Sequence, residues 1–85
     1  MSPSIHITIL YFASARDATG IRMESKEVPK DTSIQELLTN LSIIYPKIKS
    51  ILNIIQVSVN YKVVKLNTNL KYGDEVALLP PISGG

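Results

Sequence analysis

The residues with the clearest chemical potential stand together at the end of the chain: Leu79-Pro80-Pro81-Ile82-Ser83-Gly84-Gly85. Proline holds φ near about −65° and lacks a backbone donor, so Pro80-Pro81 ends a strand ladder and stiffens the residues beyond it. Glycine has no Cβ, so Gly84-Gly85 can thread a channel too narrow for other residues and leaves the terminal carboxylate uncrowded. From Pro80 to Gly85 such an arm reaches roughly 20 Å, at about 3.3–3.6 Å per extended residue. The arrangement fits a reactive C-terminus inserted into a partner's active site, with residues 1–79 as the folded domain and 80–85 as a flexible tail. Composition taken alone favours a plain disordered tail.

Elsewhere the chain offers little reactive chemistry. It has no cysteine, which excludes a disulfide scaffold and a thiol nucleophile and suits a reducing, cytoplasmic setting. The single histidine, His6, lies in a strand-like run with no ligand-spaced Asp or Glu beside it, so it is expected on a solvent-facing side and no metal site is expected. Net charge is +2 and the Lys and Arg residues are scattered, whereas a nucleic-acid surface needs a basic stripe. Neither a secretory leader nor an apolar run of about 18 residues is present, so no membrane association is expected. Eighty-five residues with 45% hydrophobic content make one small domain. Its twelve isoleucines matter at this size, because each fully buried one contributes about 1.5–3 kcal/mol before entropy is counted.

The elements that must position the tail follow from hydrophobic period. Residues 5–12 alternate as a β-branched strand, with Ile5, Ile7, Ile9 and Tyr11 toward a core and His6, Thr8, Leu10 and Phe12 away from it. The outward side turns apolar at Leu10 and Phe12, as if kept for something. Residues 13–19 form a linker or one helical turn, capped by Ser14 with Asp17, and Gly20 suits a left-handed stop. An extended run from Ile21 to Val28 then completes an antiparallel hairpin. Thr32 is the predicted N-cap of the main helix, with Gln35 three residues on. Ile34, Leu37, Leu38, Leu41, Ile44 and Tyr45 make one stripe of period 3.6, and Pro46 stops the helix.

Residues 47–53 are a linker or short irregular helix. A third strand spans 54–60 with Val57 and Val59 inward, followed by a turn at Tyr61-Lys62, a short return at Val63-Val64, and a polar irregular stretch over 65–70. Lys71-Tyr72-Gly73-Asp74 is a turn. The last strand runs from Glu75 to Leu79, with Val76 and Leu78 inward and Glu75, Ala77 and Leu79 outward. Asp74 and Glu75 are expected as turn and edge-strand residues that discourage further sheet pairing. The order strand, strand, helix, strand, short strand, strand predicts an α+β fold: a β-grasp or ubiquitin-like roll, with a mixed sheet holding one helix on one face. Phe12 and Leu79 fall on the uncovered face.

Three local patterns then coincide in order: Phe12-Ala13 with Arg16-Asp17 and Gly20; Val59-Asn60; and the block from Gly73 to Gly85, a GDEV-type turn, an apolar strand, Pro-Pro, two residues and a final Gly-Gly. Over essentially the whole chain this resembles the small subunit of molybdopterin synthase, the MoaD-type sulfur carrier of the ubiquitin-like β-grasp class. The sequence departs from that pattern at Tyr61-Lys62, where glycine is common, and in the asparagine-rich 65–70 stretch.

The resemblance implies a carrier that holds no cofactor of its own. Gly85 would be adenylated with ATP by a ubiquitin-activating type of adenylating enzyme (MoeB-type), then converted to a thiocarboxylate. The tail Pro80, Pro81, Ile82, Ser83 and Gly84 would thread into the molybdopterin synthase large subunit (MoaE-type), where the sulfur goes toward the dithiolene of molybdopterin. Catalytic acids and bases would sit on those partners. The synthase would be a heterotetramer, and its pterin could hold molybdenum or tungsten. By the same resemblance Phe12, Val63 and Leu79 form an apolar patch against the large subunit, and Arg16 is a basic residue near the base of the tail. For Phe12 and Leu79, strand parity agrees. Two other readings compete: a ubiquitin-like protein modifier or a carrier for thiamine or tRNA thiolation, and a plain β-grasp interaction module with an inert tail.

Overall fold

Alternation in the first strand decides which side of the sheet is dry. In the computed structural model, which describes residues 3–81, the elements in chain order are β1 (Ser4–Tyr11), α1 (Ala13–Thr19), β2 (Met23–Pro29), α2 (Ile34–Ile44), a 3₁₀ turn (Pro46–Ser50), β3 (Gln56–Val59), β4 (Lys62–Val64) and β5 (Glu75–Leu79). Ile5, Ile7, Ile9 and Tyr11 are all buried, as parity predicts. The strands form one sheet in the order β2-β1-β5-β3-β4. The central pair, β1 and β5, is parallel and the other pairs are antiparallel. Val76 and Leu78 of β5 and Val57 of β3 join the buried face of β1, and α2 covers it with Ile34, Leu37, Leu38 and Leu41. This is the α+β, β-grasp architecture.

The main helix begins one residue later than predicted. Ser33, not Thr32, is the N-cap: its Oγ accepts from the Glu36 backbone N–H at 3.1 Å, and the Glu36 carboxylate accepts from the Ser33 N–H at 2.9 Å. Thr32 instead donates its hydroxyl to the Pro29 carbonyl at 2.6 Å, closing the preceding turn. Hydrogen bonding from the Ser33 backbone N–H, and next from the Ser33 side chain, holds the exposed Glu36 carboxyl below its usual pKa. Two further N–H groups of the helix start donate to loop carbonyls, Ile34 to Thr68 and Gln35 to Leu66, each at 2.9 Å. The polar 65–70 stretch therefore has a structural task, satisfying donors that a helix cannot satisfy internally. It also delivers Leu70 into the core.

At its other end α2 corrects the predicted stripe. Ile44 is exposed, Tyr45 is the half-buried C-cap, and Ser42 is buried. The backbone leaves helical geometry at Tyr45 (φ −122°, ψ 82°) ahead of Pro46, and Ile48 from the 3₁₀ turn enters the core instead. The segment after β1, expected as a linker or one helical turn, is a helix of about two turns. Phe12, not Ser14, stands at its N-cap, and its side chain makes no capping bond. Gly20 ends α1 in the left-handed region (φ 79°), as predicted, with its N–H donating to the Arg16 carbonyl at 2.7 Å.

β5 lies at the centre of the sheet, which overturns the expected edge role of Asp74 and Glu75. Asp74 is buried; it accepts from the Lys71 N–H at 2.8 Å and from Asn60 Nδ2 at 2.9 Å. The Glu75 N–H donates to Asn60 Oδ1 at 3.0 Å, and the Asn60 N–H donates to the Glu75 carbonyl at 2.8 Å. This network fastens the β3–β4 hairpin to the start of β5. Central position also explains why Ala77, predicted outward, is buried by its neighbours on that face.

A second polar cluster ties the sheet to the end of α2. Glu24 on β2 accepts from the Tyr11 hydroxyl at 2.6 Å and from the Tyr45 hydroxyl at 2.8 Å, and the two rings meet edge-on. Burial, then the bond to Glu24, raises the Tyr11 phenol well above its usual pKa, and Tyr45 is raised in the same way. A folded-state pKa raised above the unfolded value of about 10 contributes stability below that pH, which is lost as pH rises past it. Glu24→Ala leaves a buried hydroxyl unpaired and is expected to cost about 1–3 kcal/mol. Thermal melts check both points: wild type should lose stability above about pH 10 more steeply than Tyr11→Phe.

Candidate functional site

Strand register builds the site. β1 and β5 run side by side in parallel with Tyr11 level with Leu78, so the next residues stand together: Phe12 turns out of the sheet into α1, while Leu79 is the last residue of β5 and still pairs with Gln56. The chain continues from there through a buried Pro80 and an exposed Pro81. Ile82, Ser83, Gly84 and Gly85, the reactive part of the predicted tail, lie outside the described residues. The chain thus leaves the sheet at the end of its middle strand, beside the start of α1.

The face opposite α2 carries a shallow groove of about 280 Å³. Its middle is a single rung across the sheet: Leu10 pairs with Ala77, Ala77 with Ser58, and Ser58 with Val63. Antiparallel pairing extends the rung to Met23 on β2. Phe12 and Leu79 close the groove at the tail exit, and Glu75 and Tyr61 close its far end. The residues one step off the rung point the other way, into the core, so the same alternation that fills the interior leaves an apolar strip outside. Phe12 is 46% exposed, Val63 61% and Tyr61 88%. Large apolar groups left together on a sheet face mark an interaction surface.

Phe12, Val63 and Leu79 therefore lie on one surface, although they come from three separate elements. Arg16 does not join them: it stands on α1 and lines a separate depression with Arg22 around Gly20. A larger and more open hollow of about 720 Å³ lies between α1 and the 3₁₀ turn. Its polar lining (Ser14, Asp17, Lys47, Lys49 and Ser50) holds no nucleophile–base pair, so volume does not make it the site. His6 is solvent-facing, 3.9 Å from Glu27 and edge-on to Tyr72. Among the described residues no cluster of three metal-ligating side chains occurs, and no helix is long and apolar enough to cross a membrane.

Residues 9–85 match the ThiS family. The chain belongs to the ThiS family. The human molybdopterin synthase sulfur carrier subunit is 34% identical over 88 residues, spanning 100% of both chains. The Mycobacterium tuberculosis protein of the same name is 34% identical and covers 95% of this chain and 99% of its own. The resemblance that the Gly73–Gly85 block carries thus extends over the whole sequence. Among solved structures, SAMP1 from Haloferax volcanii superposes with a TM-score of 0.83 at 27% identity, covering 94% of this chain and 99% of that one. In this ThiS-family chain, sequence parity found the tail-exit end of the groove, at Phe12 and Leu79. It missed Met23, Ser58 and Tyr61. Met23 needed the hairpin register, and Ser58 gave no hydrophobic signal. Tyr61 had one: a bulky residue after Asn60 in a turn that ordinarily takes glycine.

Proposed function

We propose that this chain is the sulfur carrier and small subunit of a molybdopterin synthase. The observation that carries the reading is the exit of β5: Pro80 and Pro81 follow Leu79 at the rim of an apolar face, so docking by that face brings the end of the chain to the partner. The name shared by its full-length relatives supports the same role. The chemistry follows from a carboxylate with no competent leaving group. An adenylating enzyme joins the Gly85 carboxylate to AMP from ATP, releasing pyrophosphate. A persulfide sulfur displaces AMP, and a thiol then cleaves the resulting acyl disulfide, leaving the thiocarboxylate and a donor disulfide. The chain contributes no acid or base to these steps, which belong to its partners in the cytoplasm. Pro80 and Pro81 stiffen the arm, Ile82 and Ser83 extend it, and Gly84 keeps it narrow. The large subunit accepts the sulfur toward the dithiolene, in a heterotetramer of two copies of each subunit.

A second reading, a ubiquitin-like protein modifier, is favoured by the likeness to SAMP1, whose name in full is small archaeal modifier protein 1. Reconstitution separates the two. Thiocarboxylated chain mixed with the large subunit and the pterin precursor should revert to the carboxylate, losing about 16 Da as the dithiolene forms. A carrier that keeps its sulfur in that mixture overturns the synthase role.

A further inference from the structure

Tyr61 sits where the backbone disfavours it. It occupies the second position of a two-residue turn, between Val59 and Lys62, which pair with each other. Asn60 (φ 51°) and Tyr61 (φ 73°) are both left-handed, the type I′ pattern in which asparagine suits the first position and glycine the second. Asn60 fits and is bonded in place by Asp74 and Glu75. Tyr61 carries a full aromatic side chain in a conformation strained for any residue with a Cβ. Among the described residues its side chain gains little packing to offset that strain, since it is 88% exposed. It projects instead onto the apolar groove, at the end opposite the tail exit.

We infer that Tyr61 is a contact residue for the synthase large subunit, and that the docking footprint runs the whole length of β5 rather than clustering at the tail. The inference rests on the proposed docking face and adds its far boundary. Glu75 and Leu79 are four residues apart, so the footprint extends roughly 13 Å along the strand, at about 3.3 Å per residue. The matching partner surface is an apolar ridge long enough to fill the groove, with a hydrogen-bond acceptor where the Tyr61 hydroxyl ends. A rigid aromatic with a polar tip, held at an interface edge by a fixed turn, suits such a contact because little freedom is lost on binding.

The test measures stability and affinity on the same variants, because the two should move apart. Tyr61→Gly relieves the strained position and should melt no lower than wild type, yet bind the large subunit at least about tenfold more weakly. Tyr61→Asn, which tolerates the left-handed conformation better than tyrosine, should behave the same way. Tyr61→Phe keeps the ring and should stay within about threefold of wild type. If Tyr61→Gly binds as tightly as wild type while Phe12→Asp does not, the face is right and the role of Tyr61 is overturned. If both variants bind as wild type, the docking face itself fails and the inference fails with it.

Discussion

A chain ending at Ser83 is expected to fold like the parent and to transfer no sulfur. Among the described residues the buried cluster extends from Ile5 to Leu78, with no member beyond β5. Glycine has no side chain to bury, so removing Gly84-Gly85 should leave that cluster whole and the melting temperature within a few degrees, corresponding to about ±0.5 kcal/mol or less. The chemical effect is of another order. Without Gly84-Gly85 the carboxylate moves two residues nearer the fold, roughly 7 Å short at about 3.3–3.6 Å per residue, and sits on a serine where the proposed sulfur arm has a glycine. A misplacement of even about 1 Å can reduce a positioned reaction a hundredfold, so turnover should fall to background. The assay is dithiolene formation with large subunit and adenylating system in excess, alongside a thermal melt. Residual turnover near the parent rate would show that the tail is not the sulfur arm.

The second large effect is at Phe12. Phe12→Asp places a charge in the apolar groove beside Leu79, where complex formation would strip it of water with no partner to pair it. A penalty of about 3 kcal/mol is expected, a loss of affinity for the large subunit on the order of 100-fold. Folding should not suffer, for a reason local to this site. Phe12 occupies the N-cap of α1 without making a capping bond, and Asp is among the residues preferred there. Loss of binding in this variant thus cannot be ascribed to loss of the domain. Isothermal titration paired with a melt separates the two, and assembly as tight as wild type would show that another surface docks.

How much of this was legible in the sequence depended on the range of the interactions involved. The period-2 pattern of β1 placed Ile5, Ile7, Ile9 and Tyr11 inside, because alternation is a property of one strand and needs no neighbour. The bounds of β5 were legible for a related reason, with Gly73-Asp74 before it and Pro80-Pro81 after it acting as local punctuation. What failed was set by distant partners. Thr32 and Ser33 are equally good caps by type. The choice was made by Glu36 at the third position and by the 65–70 loop, whose carbonyls receive the Ile34 and Gln35 donors. Ile44 fits the helical stripe, but Ile48 takes its place in the core. Asp74 looked like an edge charge because sequence order gives no hint that the last strand enters between β1 and β3. The candidate site divides the same way. Phe12 and Leu79 follow from parity, whereas Met23, Ser58 and Tyr61 join them only through pairing across the sheet.

The most direct measurement is intact mass spectrometry of the chain purified from its native host, with fragmentation to locate any change. The expected species is about 16 Da heavier than the unmodified chain, with the added mass on Gly85, where sulfur replaces a carboxylate oxygen. Gly85 found instead in isopeptide linkage to lysines of other proteins, with no thiocarboxylate form even under conditions that protect it from hydrolysis, would contradict the carrier role and establish a modifier.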